Sequence, residues 1–131
     1  MYIADGKTNG PAFSWPDGKR IAVMVTFDYD AEFLRISRAK SKGTSIGFTD
    51  FSRGQYGPHE GLARCLDMLD TMNIKSTFFV PGAVIETYRD TVEEIHRHGH
   101  ELACHGYRHE SDPELSRDEM IKILDKSEAL L

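Results

Sequence analysis

Cysteine is scarce in this sequence: Cys65 and Cys104 are its two thiols. So few cannot form the disulfide scaffold of a small secreted domain, and the default is two reduced thiols in a reducing cytoplasm. Long apolar runs are missing as well, and none approaches the roughly 20 residues that cross a bilayer. Met1 to Gly10 is polar and lacks the apolar core of a signal peptide. Excess positive charge is also absent. The net charge of −5 argues against a general nucleic-acid or anionic-membrane binder, because like charges repel. There is no internal repeat and no low-complexity tract. What remains is a chain of 131 residues, 40% hydrophobic and 28% charged, enough for one cytoplasmic globular domain with one core.

Residues 1–19 carry Gly6, Gly10, Pro11, Pro16 and Gly18 and read as a lead-in to a domain over 20–131. Ile21 to Phe27 is apolar and rich in β-branched residues, which suits a strand buried on both faces of a parallel sheet. Residues 33–58 are rich in Gly, Ser, Lys and Arg and read as a long functional connection. Leu62, Cys65, Leu66 and Leu69 recur at helical spacing, with Pro58 near the start and Asn73 as a stop. Ser76 to Val80 is a short strand ended by Pro81-Gly82. Val84, Ile85, Tyr88, Val92 and Ile95 line one helical face, re-capped midway at Asp90 or Thr91, with Gly99 as the stop. Glu101 to Cys104 is a weaker strand. Ser116-x-x-Glu119 is a capping box that opens a helix through Met120, Ile121 and Leu124. The alternation βα, βα, βα predicts a parallel sheet. The sequence stops at Leu130-Leu131 inside a helical pattern, which suggests a fragment of a longer fold or a helix that docks on a partner.

Two short motifs carry the chemistry: Phe27-Asp28-Tyr29-Asp30-Ala31-Glu32 and His105-Gly106-Tyr107-Arg108-His109, each after an apolar run. Alternation along a strand would send Asp28 and Asp30 to one side and Tyr29 to the other. His105 and His109 come together if the chain turns after its strand. Asp30, His105 and His109 can then serve as the three ligands of a hydrolytic zinc site, with Asp28 beside them to take a proton from water. Alone, the first motif also fits a strand-end turn with Asp capping backbone amides, and the second a surface pair. The pattern is not the helical H-E-x-x-H, because Gly106 follows the first His. Glu32 either supports the site or is a solvated loop carboxylate. Arg53, Tyr56 and His59 are candidate substrate contacts, with ordinary surface residues as the alternative. His96, His98 and His100 read as a basic helix end, and Cys104 as core, facing away from His105. Carboxylate and imidazole ligands suit Zn²⁺, with Co²⁺, Ni²⁺ or Mn²⁺ also acceptable.

These residues resemble the polysaccharide deacetylases with the NodB homology domain. Val25-Thr26-Phe27-Asp28 is similar to the family's first motif, Lys75 to Gly82 to its second strand, and Gly99 through His109 to its paired-histidine motif. The resemblance implies the N-terminal part, about three βα units, of a distorted (β/α) barrel. It implies metal-dependent hydrolysis of an N- or O-acyl group, with Asp28 as base and Asp30, His105 and His109 as ligands. Asp28-Tyr29-Asp30 stands where the family has adjacent aspartates, and Gly106 where it has Ser or Thr. Both departures resemble a branch that includes intracellular peptidoglycan-deacetylase-like and allantoinase- or cyclic-imide-hydrolase-like proteins, so the substrate is an N-acylated sugar or a small cyclic amide. The family's later motifs fall beyond residue 131, so the expectation is the metal-binding half of a site. The competing reading is a non-catalytic metal-binding module that self-associates or completes its sheet with another chain. A response-regulator-like domain would also place acids at a first strand end, but it leaves His105 and His109 unexplained.

Overall fold

A computed structural model describes residues 15–110 and 115–131. Three strands form one parallel sheet in the order β1 (Thr26–Asp28), β2 (Thr77–Val80), β3 (Glu101–Cys104). The register sets Asp28 against Phe79, and Val80 against Cys104. Between β1 and β2 run α1 (Phe33–Ser41), α2 (Phe48–Tyr56), a π-helical turn (Gly57–Gly61) and α3 (Leu62–Met72). Between β2 and β3 run α4 (Gly82–Thr87) and α5 (Arg89–Arg97), and α6 (Arg117–Glu128) follows β3. The expected α/β fold with a parallel sheet is therefore present. Among the described residues no helix is long and apolar enough to cross a membrane.

The core forms where the two periodicities meet. β2 alternates, with Phe78 and Val80 buried. Leu62, Leu66 and Leu69 of α3, Val84 and Ile85 of α4, and Val92 and Ile95 of α5 close over them. Phe27 stacks on Phe78 at 4.9 Å between ring centres. Asn73 ends α3 in the left-handed conformation (φ 52°), and Gly99 (φ 74°) follows α5, both as the turn chemistry predicts. The capping box of α6 is present in both directions, Ser116 accepting from the Glu119 amide and Glu119 from that of Ser116.

Three expectations need correction. The first strand covers Thr26–Asp28 rather than Ile21 to Phe27, and it is not buried on both faces: Ile21, Val23 and Met24 are 76%, 82% and 87% exposed. β1 is an edge strand among the described residues, so nothing covers those side chains; the Val25 carbonyl still accepts from Thr77. The connection at 33–58 is not a loop but holds α1 and α2, which the spacing of Phe33, Ile36 and Ala39 supports beneath the polar composition. The break between α4 and α5 falls at Tyr88 (φ −126°, ψ 42°) instead of Asp90 or Thr91. Of the lead-in, residues 1–14 lie outside the described residues, and 15–19 are exposed around a turn at Pro16–Gly18.

Candidate functional site

Both motifs sit where the sheet ends and the backbone reverses. Tyr29 continues the ladder past β1, donating from its amide to the Phe79 carbonyl. Its ring is buried, its hydroxyl donates to Thr91 Oγ1, and burial pushes its pKa up to about 12. With Tyr29 anchored in the core, Asp30 is left at the sheet edge. Ala31 then turns the chain in the left-handed region (φ 49°), and the Asp30 carbonyl accepts from the Phe33 amide at the head of α1.

His105 extends β3 by donating to the Val80 carbonyl, after which Gly106 (φ 70°) and His109 (φ 59°) fold the turn back. Left-handed backbone at a non-glycine residue costs about 1 kcal/mol or more, so surrounding contacts must impose it. They are plentiful. The Glu110 carboxylate accepts from the Tyr107 and Arg108 amides. The Gly106 carbonyl accepts from the Gly82 amide and Ser127 Oγ, and the Tyr107 carbonyl from the Ala83 amide. Ser37 Oγ of α1 donates to the His109 carbonyl at 2.6 Å. A Cβ on Gly82 would lie 2.7 Å from the Tyr107 ring, so α4 can approach the turn because residue 82 has no side chain.

The two turns bring Asp30, His105 and His109 together, with one ligand atom from each inside a cluster no wider than 4.8 Å. The His105 and His109 rings meet edge to face at 5.0 Å. His105 Nε2 lies 3.4 Å from Asp30 Oδ1, yet both atoms are shielded from solvent and neither has a hydrogen-bond partner. Such orphaned polar atoms are costly, and native structures leave few of them unexplained. Two ligands of a tetrahedral zinc ion sit about 3.3 Å apart when each metal bond is near 2 Å, so this pair fits a metal edge. Desolvation raises the pKa of Asp30, and the neighbouring charge of Asp28 adds to the rise, while His105, His109 and Arg38 oppose it.

The remaining candidates fall elsewhere. Glu32 is buried, not solvated, and its carboxylate accepts from the Tyr88 hydroxyl. His59 is exposed and meets Tyr88 edge-on at 6.1 Å. Arg53 and Tyr56 are exposed on α2, Arg53 lying 3.8 Å from Asp50. Cys104 is half-buried rather than core. It lines a cavity of about 410 Å³ with His105, His109 and residues of α6, because no strand covers the outer edge of β3 among the described residues. The three clustered histidines also separate. His96 is exposed, His98 Nδ1 lies 2.7 Å from Asp70 of α3, and His100 is buried, its Nδ1 accepting from the Ser76 amide. Sequence reasoning missed the holders of the turn, Glu110 and Ser37; neither lies in a recognisable spacing, since each acts on backbone.

Residues 16–131 match the sequence model of the polysaccharide deacetylase family. A peptidoglycan deacetylase-like protein of Gibberella zeae is 32% identical over 82% of this chain and 32% of its own length. The peptidoglycan deacetylase of Helicobacter pylori is 33% identical over 86% of this chain and 38% of its own. The chain thus spans about a third of the length of these curated relatives. A crystal structure from Mycobacterium smegmatis, described as that of a polysaccharide deacetylase, superposes with a TM-score of 0.82 at 39% identity, covering 95% of this chain and 43% of the other. A PuuE allantoinase gives a TM-score of 0.80 at 19% identity, covering 94% and 46%, a likeness of fold.

Proposed function

The chain belongs to the polysaccharide deacetylase family, and from that premise we propose that the whole protein is a metal-dependent hydrolase of non-peptide carbon–nitrogen bonds that removes an acyl group from an N-acylated sugar. The observation that carries the metal is the orphaned pair Asp30 Oδ1 and His105 Nε2, closed into a cluster by His109. Asp30, His105 and His109 would hold the ion, and Zn²⁺ suits one carboxylate and two imidazoles. When bound, such an ion supplies Lewis acidity and brings the pKa of water to near 7.

The chain's own residues supply the rest. Asp28 ends β1 with its side chain exposed, two residues from the ligand Asp30 and close enough to act on its charge. That placement suits a general base that takes the proton of the attacking water. Tyr29, locked in the core, fixes the spacing of the two carboxylates. The held turn at 106–109 keeps both imidazoles in place before substrate arrives, so little reorganisation is left to the reaction. Hydrolysis adds one water across the amide, releasing a carboxylic acid and the free amine.

Elemental analysis of the whole protein tests the ligand set. Wild type is expected to carry about one transition metal per chain and His105→Ala almost none. Asp28→Asn is expected to keep the metal and to lower acetate release from N-acetylglucosamine oligosaccharides by about 10²- to 10⁴-fold. Metal retained in His105→Ala, or full turnover in Asp28→Asn, would refute the assignment.

A further inference from the structure

The α1–α2 segment is a positively charged lobe on an acidic chain. Residues 33–56 hold five basic side chains, Arg35, Arg38, Lys40, Lys42 and Arg53, against one acid, Asp50, a formal +4 within a chain of −5. Arg35, Arg38 and Lys42 recur at three- and four-residue spacing, which puts them on one face of α1 and its C-terminal cap. That face lines a cavity of about 240 Å³ together with Thr44, Ser45 and Asp50. Asp50 is already engaged, 3.3 Å from Arg35 and 3.8 Å from Arg53. Among the described residues Arg38 and Lys42 have no ion-pair partner. Like charges at this spacing destabilise a helix, so gathering them around one cavity calls for a counter-charge from outside.

The lobe is joined to the candidate metal centre. Ser37, between Arg35 and Arg38, hydrogen-bonds the His109 carbonyl. Guanidinium groups match the two oxygens of a carboxylate or phosphate, and an ammonium adds a point charge. We propose that this pocket binds an oxyanion, carboxylate or phosphate, carried on the non-reacting part of the substrate, so that the protein selects anionic acylated sugars. The substrate class rests on the acyl-hydrolase reading; the anion pocket itself does not.

The test is calorimetric binding to the whole protein carrying Asp28→Asn, so that no probe is consumed. The probes are N-acetylmuramic acid, its methyl ester, and N-acetylglucosamine 6-phosphate. At low salt the acid or the phosphate is expected to bind at least about tenfold more tightly than the ester, and added salt should shrink the difference. Preference for the acid identifies a carboxylate substrate, and preference for the phosphate a phosphorylated one. Arg38→Gln with Lys42→Gln should abolish the preference, while Arg64→Gln on α3, outside the pocket, should keep it. Equal affinity for all three probes, or a preference that survives the double variant, overturns the proposal. Failure of the hydrolase reading would show separately, as anion preference without acetate release by the metal-loaded wild type.

Discussion

His100 shows how one side chain can set a pH dependence. Burial holds its imidazole below the usual histidine value; Lys75 and His98 push the same way, and Asp70 opposes them. The folded state therefore binds fewer protons than the unfolded state just below the ordinary value. Stability is full above that value and falls as pH drops through it. Thermal unfolding between about pH 7.5 and 5.5 should show a falling midpoint that flattens in His100→Gln; an unchanged slope would remove His100 as the source. The sequence did not reveal this residue, because Gly99 ends the helix and turns position 100 inward onto Phe78 and Ser76. Asp30, His105 and His109 were legible for the opposite reason. They lie in two contiguous strings at strand ends, and the parallel sheet carries both strings to one edge. Glu110 was not, because it binds the amides of a turn whose left-handed residues include a histidine.

Among the described glycines, Gly54 of α2 has the least room for a side chain, facing the start of α1. A Cβ on Gly54 would fall 2.4 Å from Glu32 Cα, a backbone atom that cannot move alone. Gly54→Ala is expected to lose at least about 2 kcal/mol of stability in denaturant unfolding, and a neutral result would mean that the two helices can separate freely. Ser116→Ala should cost about 1 kcal/mol by removing the α6 cap, read as a lowered Tm. Most elements were readable because each carried its own punctuation: Asn73, Pro81-Gly82, Gly99 and the capping box. α1 and α2 were not, since their apolar positions are few and diluted by Ser, Lys and Gly. The first strand was read too long because β-branched character marks suitability for a ladder, while the ladder itself needs a neighbour.

At the scale of the whole molecule, the sheet has two open edges among the described residues, one at β1 and one at β3. Beside β1 stand the exposed Ile21, Val23 and Met24, an invitation to association. The 131-residue chain is expected to self-associate reversibly in sedimentation velocity, and Val23→Lys with Met24→Lys should shift it toward monomer; a monomer at every concentration would count against this. The hydrogen bond from Ser37 to the His109 carbonyl has its own consequence at this scale. It spans 72 positions of sequence, fastening the cationic lobe to the turn that presents the imidazoles. The lobe is therefore not a cassette. A version grafted in without a hydroxyl at position 37 would lose that tie and loosen the cluster of Asp30, His105 and His109 in the same stroke, so the two are best engineered as one unit.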